Sequence, residues 1–236
     1  MRVQAGGKGE PTLLLVHGLG ATGDVWNGWH RLLQQRWPGR WLAPDLPGHG
    51  GSPPLPEYTF ATFADGIAPL LDEETVVLGH SLGGAVGLVL AAHHAQVRIV
   101  VGLGIKVAWT AEELDRARVM AYRPVTWFGT RDEAVARYLR VSGLTDPDEV
   151  GTGIRQQDGQ WRLAMDPRTF GVGAPDMTAL LAACPAPFKL ARGELDHMVS
   201  DDQLDRLGRP RITLAGLGHN AHVERPEAVL ELVLGP

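Results

Sequence analysis

Three stretches of this 236-residue chain carry side chains that could act together on a substrate. The first is Gly79-His80-Ser81-Leu82-Gly83, a serine in the pattern G-x-S-x-G. The second, Gly193-Glu194-Leu195-Asp196-His197, offers a choice of carboxylate. The third, Gly218-His219-Asn220-Ala221-His222, offers a choice of histidine. A serine hydroxyl is a weak nucleophile at neutral pH, so it needs a base, which an acid must in turn orient. A fourth stretch competes with these. Gly18-Leu19-Gly20-Ala21-Thr22-Gly23 has the form G-x-G-x-x-G and is followed by Asp45, the signature of a dinucleotide site.

The elements that would position these loops follow from apolar spacing. Thr12 to His17, Trp41 to Ala43, Thr75 to Leu78 and Val97 to Leu103 read as strands. Between them, Val25, Trp29, Leu32 and Leu33 mark a helix after an Asp24 cap, Phe60 to Leu71 a second, and Leu82 to His94 a third. The alternation stops between about 106 and 185, where helical patterns appear at Ala111 to Tyr122 and Asp132 to Ser142. It resumes with strands at Phe188 to Arg192 and Arg211 to Ala215, and helices near Asp201 to Leu207 and from Pro226. A strand–helix series predicts a mostly parallel twisted sheet with helices on both faces, an α/β fold. Residues 1-105 and 186-236 would form its core, with 106-185 as a helical cap insertion.

In such a sheet the reactive loops lie together at the carboxyl ends of the strands. G-x-S-x-G is common by chance, but here it stands directly between a strand and a helix, the setting of a nucleophile elbow. The dinucleotide reading is weaker. Asp45 follows Pro44 and opens a Pro-Gly loop, and that reading gives no role to the serine, carboxylate and histidine loops at the same edge.

Five ordered segments, LLLVHGLG, DLPGHGGS, GHSLGG, GELDHMV and GLGHNAHVERPE, run from residue 13 to 227. Through them the chain resembles the α/β-hydrolase fold family, specifically capped single-domain serine esterases. The resemblance implies Ser81 as nucleophile, His219 as general base and Asp196 as its orienting acid, with the backbone N–H groups of Leu19 and Leu82 as oxyanion hole. Position also favours His219 over His222: it comes four residues after the strand, beside Gly218, where a side chain can reach back over the sheet edge. His17, His80, Trp109 and Trp127 are candidates for the substrate pocket. The family usually opens with a β-hairpin, and only residues 1 to 11 precede the first core strand here, so one or two edge strands are expected to be missing.

The implied activity is cleavage of an ester or thioester of a small to medium, largely apolar acyl group through an acyl-enzyme. C–C bond hydrolases and lactonases use the same triad and remain alternatives. A non-catalytic small-molecule receptor or a dinucleotide-binding protein is a more distant one.

Composition bounds the rest. Apolar residues at 44% and charged residues at 21% suit a water-soluble domain with a sizeable core. A formal charge of -5 argues against nucleic acid as partner. A single cysteine, Cys184, allows no internal disulfide, and no metal-ligand spacing occurs, so no metal or cofactor is expected. No signal-peptide core or membrane-length apolar run is present, so the expectation is a cytoplasmic protein acting on a small molecule, away from membranes, as monomer or dimer.

Overall fold

The computed structural model describes residues 1–235. Strands β1 (Val3–Gly6), β2 (Thr12–Val16), β3 (Trp41–Pro44), β4 (Thr75–His80), β5 (Val97–Leu103), β8 (Phe188–Gly193) and β9 (Arg211–Leu214) form a seven-stranded sheet ordered β1-β3-β2-β4-β5-β8-β9. All neighbouring pairs are parallel except β1 on β3. Helices α1 (His30–Arg36), α2 (Phe60–Ile67), α3 (Leu82–His93), α7 (Asp201–Asp205), α8 (Ala221–Glu224) and α9 (Pro226–Leu234) complete this part.

The period-two direction of strand side chains explains why a continuous apolar run forms a two-sided core. Leu13, Leu15, Val76 and Leu78 face one cluster with Trp26, Trp29 and the apolar face of α9. Leu14, Val16, Val77 and Val100 face the other, with Phe63 of α2 and Val86 and Leu90 of α3.

The N-terminal expectation is corrected in part. Residues 3–6 do form an edge strand, which the sequence reading had not placed. The helix expected after an Asp24 cap is divided into a 3-10 turn over Gly23–Trp29 and then α1, and Thr22 is the cap. Asp24 is turned inward instead, accepting from Arg2 at 2.5 Å and from the N–H and hydroxyl of Thr152 at 2.6 and 2.7 Å.

Between β5 and β8 lie α4 (Ala111–Ala121), α5 (Arg131–Ser142), a hairpin of β6 (Ile154–Gln157) and β7 (Gln160–Leu163), and α6 (Met177–Ala183). The stretch is therefore not wholly helical. Its hairpin turns at Asp158-Gly159, both at positive φ, a turn signal that the helical reading passed over. Its last helix, α6, buries Met177 and Leu181 in the same cluster as α3. Backbone hydrogen bonds from Gly50 N–H to Ala164 (2.6 Å) and from Asp166 N–H to Gly48 (2.8 Å) tie the stretch to the core.

Candidate active site

Ser81 joins β4 to α3 with φ 50° and ψ -114°, a left-handed backbone that is costly for a residue with a side chain. Its surroundings hold it there. The Ser81 N–H donates to Leu103 O at 2.8 Å, and Ser81 O accepts from Gly84 N–H at 3.0 Å. The flanking glycines are obligatory by contact. A Cβ on Gly79 would stand 2.2 Å from Gly83 O, and one on Gly83 would stand 2.3 Å from Val16 O. The start of α3 is thus pressed against β2 and β4, and its N-terminal dipole and free N–H groups point toward Ser81.

β8 delivers the carboxylate. The Asp196 side chain is fully buried, accepting from Met198 N–H at 2.8 Å through Oδ1 and contacting His219 Nδ1 at 3.0 Å through Oδ2. Arg192, itself buried, fixes this turn by donating to the carbonyls of Glu194 and Asp196 at 3.0 and 3.1 Å and to Asp201 at 2.7 Å. Glu194 does other work: its carboxylate accepts from Gly216 N–H at 2.8 Å, joining the acid loop to the histidine loop. His197 is exposed.

The two histidines of the third loop have different surroundings. His219 meets Asp196 and lines a cavity of about 490 Å³ together with Ser81. His222 lies behind it, 1% exposed, with neither ring nitrogen hydrogen-bonded among the described residues. Burial lowers its pKa to about 3, so it is neutral. Asn220, between them, donates its side-chain amide to Gly143 O at 2.8 Å and more weakly to Ser142 O at 3.4 Å, at the end of α5.

The remaining sequence candidates separate into two groups. Leu19 and Leu82 line the cavity beside Ser81, and neither backbone N–H has a protein acceptor among the described residues. Trp109 also lines it, its indole N–H donating to Lys106 O at 3.2 Å. His80 lines it and adds a role: its Nε2 lies 3.0 Å from His219 O. Facing a carbonyl, that nitrogen must carry the proton, and burial keeps the ring neutral by holding its pKa well below the usual value.

His17 and Trp127 are not in the cavity wall, which corrects two pocket candidates. His17 is completely buried, accepting from Leu46 N–H at 2.9 Å, and supports the glycine turn from behind. Trp127 is 39% exposed and lies against Arg162. Wall residues that the sequence reading missed include Ile105, Met120, Val141, Phe170 and Met198. Only Val141 had a readable signal, since it lies in the last turn of α5 just ahead of Gly143, which closes the helix in a left-handed conformation.

The G-x-G-x-x-G turn does not present a nucleotide site. Asp45, fully buried, accepts from the N–H groups of Gly23 and Gly51 at 2.8 Å each and pairs with Arg2 at 2.9 Å, so no oxygen is offered to a ribose. Among the described residues no group of three or more His, Cys, Asp or Glu side chains is placed to hold a metal ion. No helix among them is long and apolar enough to cross a membrane.

The chain is similar in sequence and fold to known proteins. Residues 13–232 fit the model of the alpha/beta hydrolase family. An uncharacterized protein of Mycobacterium tuberculosis is 41% identical over 92 residues, which cover 37% of this chain and 26% of that protein. The chain therefore spans only about a quarter of the length of the first curated relatives it matches. A pimeloyl-[acyl-carrier protein] methyl ester esterase of Methylococcus capsulatus is 26% identical over 220 residues, covering 88% of this chain and 84% of that enzyme. Among solved structures, a thioesterase domain from the curacin biosynthetic pathway superposes with a TM-score of 0.80 at 20% identity, over 99% of this chain and 94% of that domain. At that identity the likeness concerns the fold.

Proposed function

The chain belongs to the alpha/beta hydrolase family, and from that premise we propose that it is a serine hydrolase cleaving an ester or thioester of a small to medium, largely apolar acyl group. The observation that carries the reading is the meeting of a strained Ser81 and an Asp196-bound His219 on one cavity.

His219, held through Nδ1 by Asp196, takes the Ser81 proton at its other ring nitrogen as Oγ attacks the carbonyl carbon. The C=O electron pair moves onto oxygen, where the Leu19 and Leu82 N–H groups face it. Such a donor is worth roughly 100- to 1,000-fold in rate in other enzymes. The tetrahedral species collapses as His219 returns the proton to the leaving alcohol or thiol. Water then repeats the sequence on the acyl-enzyme and frees Ser81. Leu19, Phe60, Ala85, Ile105 and Trp109 form an apolar part of a cavity that Lys106, Glu113, Arg116 and Arg140 also line, and that part supports an apolar acyl group. The methyl ester esterase relative supports oxygen esters over carbon–carbon bonds.

The test is covalent labelling by a fluorophosphonate followed by a panel of p-nitrophenyl esters of rising chain length. The expected result is one adduct on Ser81, absent in Ser81→Ala, and turnover that peaks at a short to medium chain. An unlabelled wild-type protein would end the proposal.

A further inference from the structure

Apart from the Ser81 cavity, a space of about 480 Å³ opens where the loop from Gly48 to Pro54 faces the β6–β7 hairpin. Arg155 and Arg162 are part of its wall. They stand directly opposite each other in the hairpin register, so their side chains leave the same face of the ribbon. Like charges in that relation destabilise a strand pair unless something answers them.

Asp166 acts on Arg162 by its charge but pairs with neither arginine. Neither arginine is in a salt bridge among the described residues. Arg155 donates to the Gly50 carbonyl at 3.1 Å, and Arg162 stacks at 5.6 Å over the Trp127 ring. The Arg162 Nε is buried and has no acceptor, a state that costs free energy and is rare in native proteins. Asp166 shares the wall, but its carboxylate is occupied by Arg168 at 2.6 Å and by the Tyr58 hydroxyl at 2.9 Å. Burial, followed by the charge of Arg155, lowers the Arg162 pKa in agreement with this crowding.

We propose that this cavity binds an anion of the phosphate or carboxylate class between Arg155 and Arg162, at a site separate from Ser81. Planar guanidinium forks match the oxygens of either group and can hold them in pairs. The anion would relieve the cross-strand repulsion. It would also sit against the Gly48–Pro54 loop, whose His49 accepts from Gly20 N–H at 3.2 Å. Occupancy therefore bears on the turn that holds Leu19.

The experiment is thermal unfolding of the full chain in inorganic phosphate and, separately, in succinate, each at about 20 mM against sodium chloride of equal ionic strength, since a ligand that binds only the folded state raises Tm. The expected result is a rise of several degrees with at least one anion, and the larger rise identifies the group. Arg155→Met and Arg162→Met should each abolish the rise. In chloride, Arg155→Met should melt no lower than wild type, because it removes one of two facing charges. Ser81→Ala should keep the full rise, which separates this site from the hydrolase proposal. No rise with either anion overturns the inference, as does an undiminished rise in the folded Arg155→Met variant.

Discussion

Two helix starts border the Ser81 cavity and are built in opposite ways. α4 begins with a Thr110–Glu113 capping box and buries none of its residues. α3 begins at Ser81 without any side-chain cap, in a left-handed conformation, and buries all but two of its twelve residues. The first is held by its own sequence, the second by everything packed around it. One cavity thus has one side of buried, closely packed backbone that holds strain and another side of a helix with no buried residue. A surface helix such as α4 can change its wall residues at little cost to folding, whereas the α3 entrance tolerates almost no added atom.

The largest test of that contrast is chemical. Ser81→Ala or His219→Ala should lower kcat/KM for an ester substrate by about 10⁴-fold or more, whereas His222→Ala should leave most of the activity while lowering Tm. Comparable losses for His219→Ala and His222→Ala would remove the distinction between the two rings. Next is packing. Gly83→Ala should destabilise by a few kcal/mol, roughly the cost of overpacking a tight core, because its Cβ would lie 2.3 Å from Val16 O. Gly129→Ala, whose Cβ would find only Glu133 Oε2 at 3.8 Å, should be near neutral by denaturant unfolding.

A pH titration sharpens the comparison further. Burial lowers the pKa of His17 to about 4, of His49 and His222 to about 3, and of His80 well below the usual value. The folded state keeps these rings neutral while the unfolded chain takes up protons below pH ~6.5, so stability is full above that pH and falls as the solution is acidified. By pH 5 each such ring costs about 2 kcal/mol. Residues 106 to 185 contain no histidine, so this acid sensitivity arises in the core alone. His222→Phe should flatten the fall of Tm between pH 7 and 5. A smaller effect is expected at Trp109→Ala, a change of about tenfold in preference between short and long acyl chains with Tm nearly unchanged.

The same contrast explains what the sequence could disclose. α4 and α5 were legible within about a residue from their helical patterns, and the capping boxes Thr110–Glu113 and Thr130–Glu133 are the local start signals that hold them. Strands β2, β4 and β5 were legible because a sheet covered on both faces needs unbroken apolar runs. The serine, acid and histidine loops followed from their places at strand ends. Less could be read where a long-range partner overrides local preference. Asp24 looks like a cap but answers Arg2 and Thr152, and Asp45 looks like a ribose ligand but is occupied by Gly23 and Gly51. His17 failed as a pocket candidate because nearness in sequence to a reactive loop does not fix the direction of a side chain, and Trp127 because a place in the insertion does not fix it either. The edge strand β1 has four residues of ordinary composition, and only its pairing with β3 defines it.

The amide of Asn220 has a mechanical consequence. It grips the carbonyls of Ser142 and Gly143 while its chain neighbour is His219, so the end of α5 and the His219 loop are joined. An outward displacement of the end of α5 must break those hydrogen bonds or pull on the His219 loop. Under the proposed mechanism, a shift at the end of α5 is thus passed to the ring that would accept the Ser81 proton.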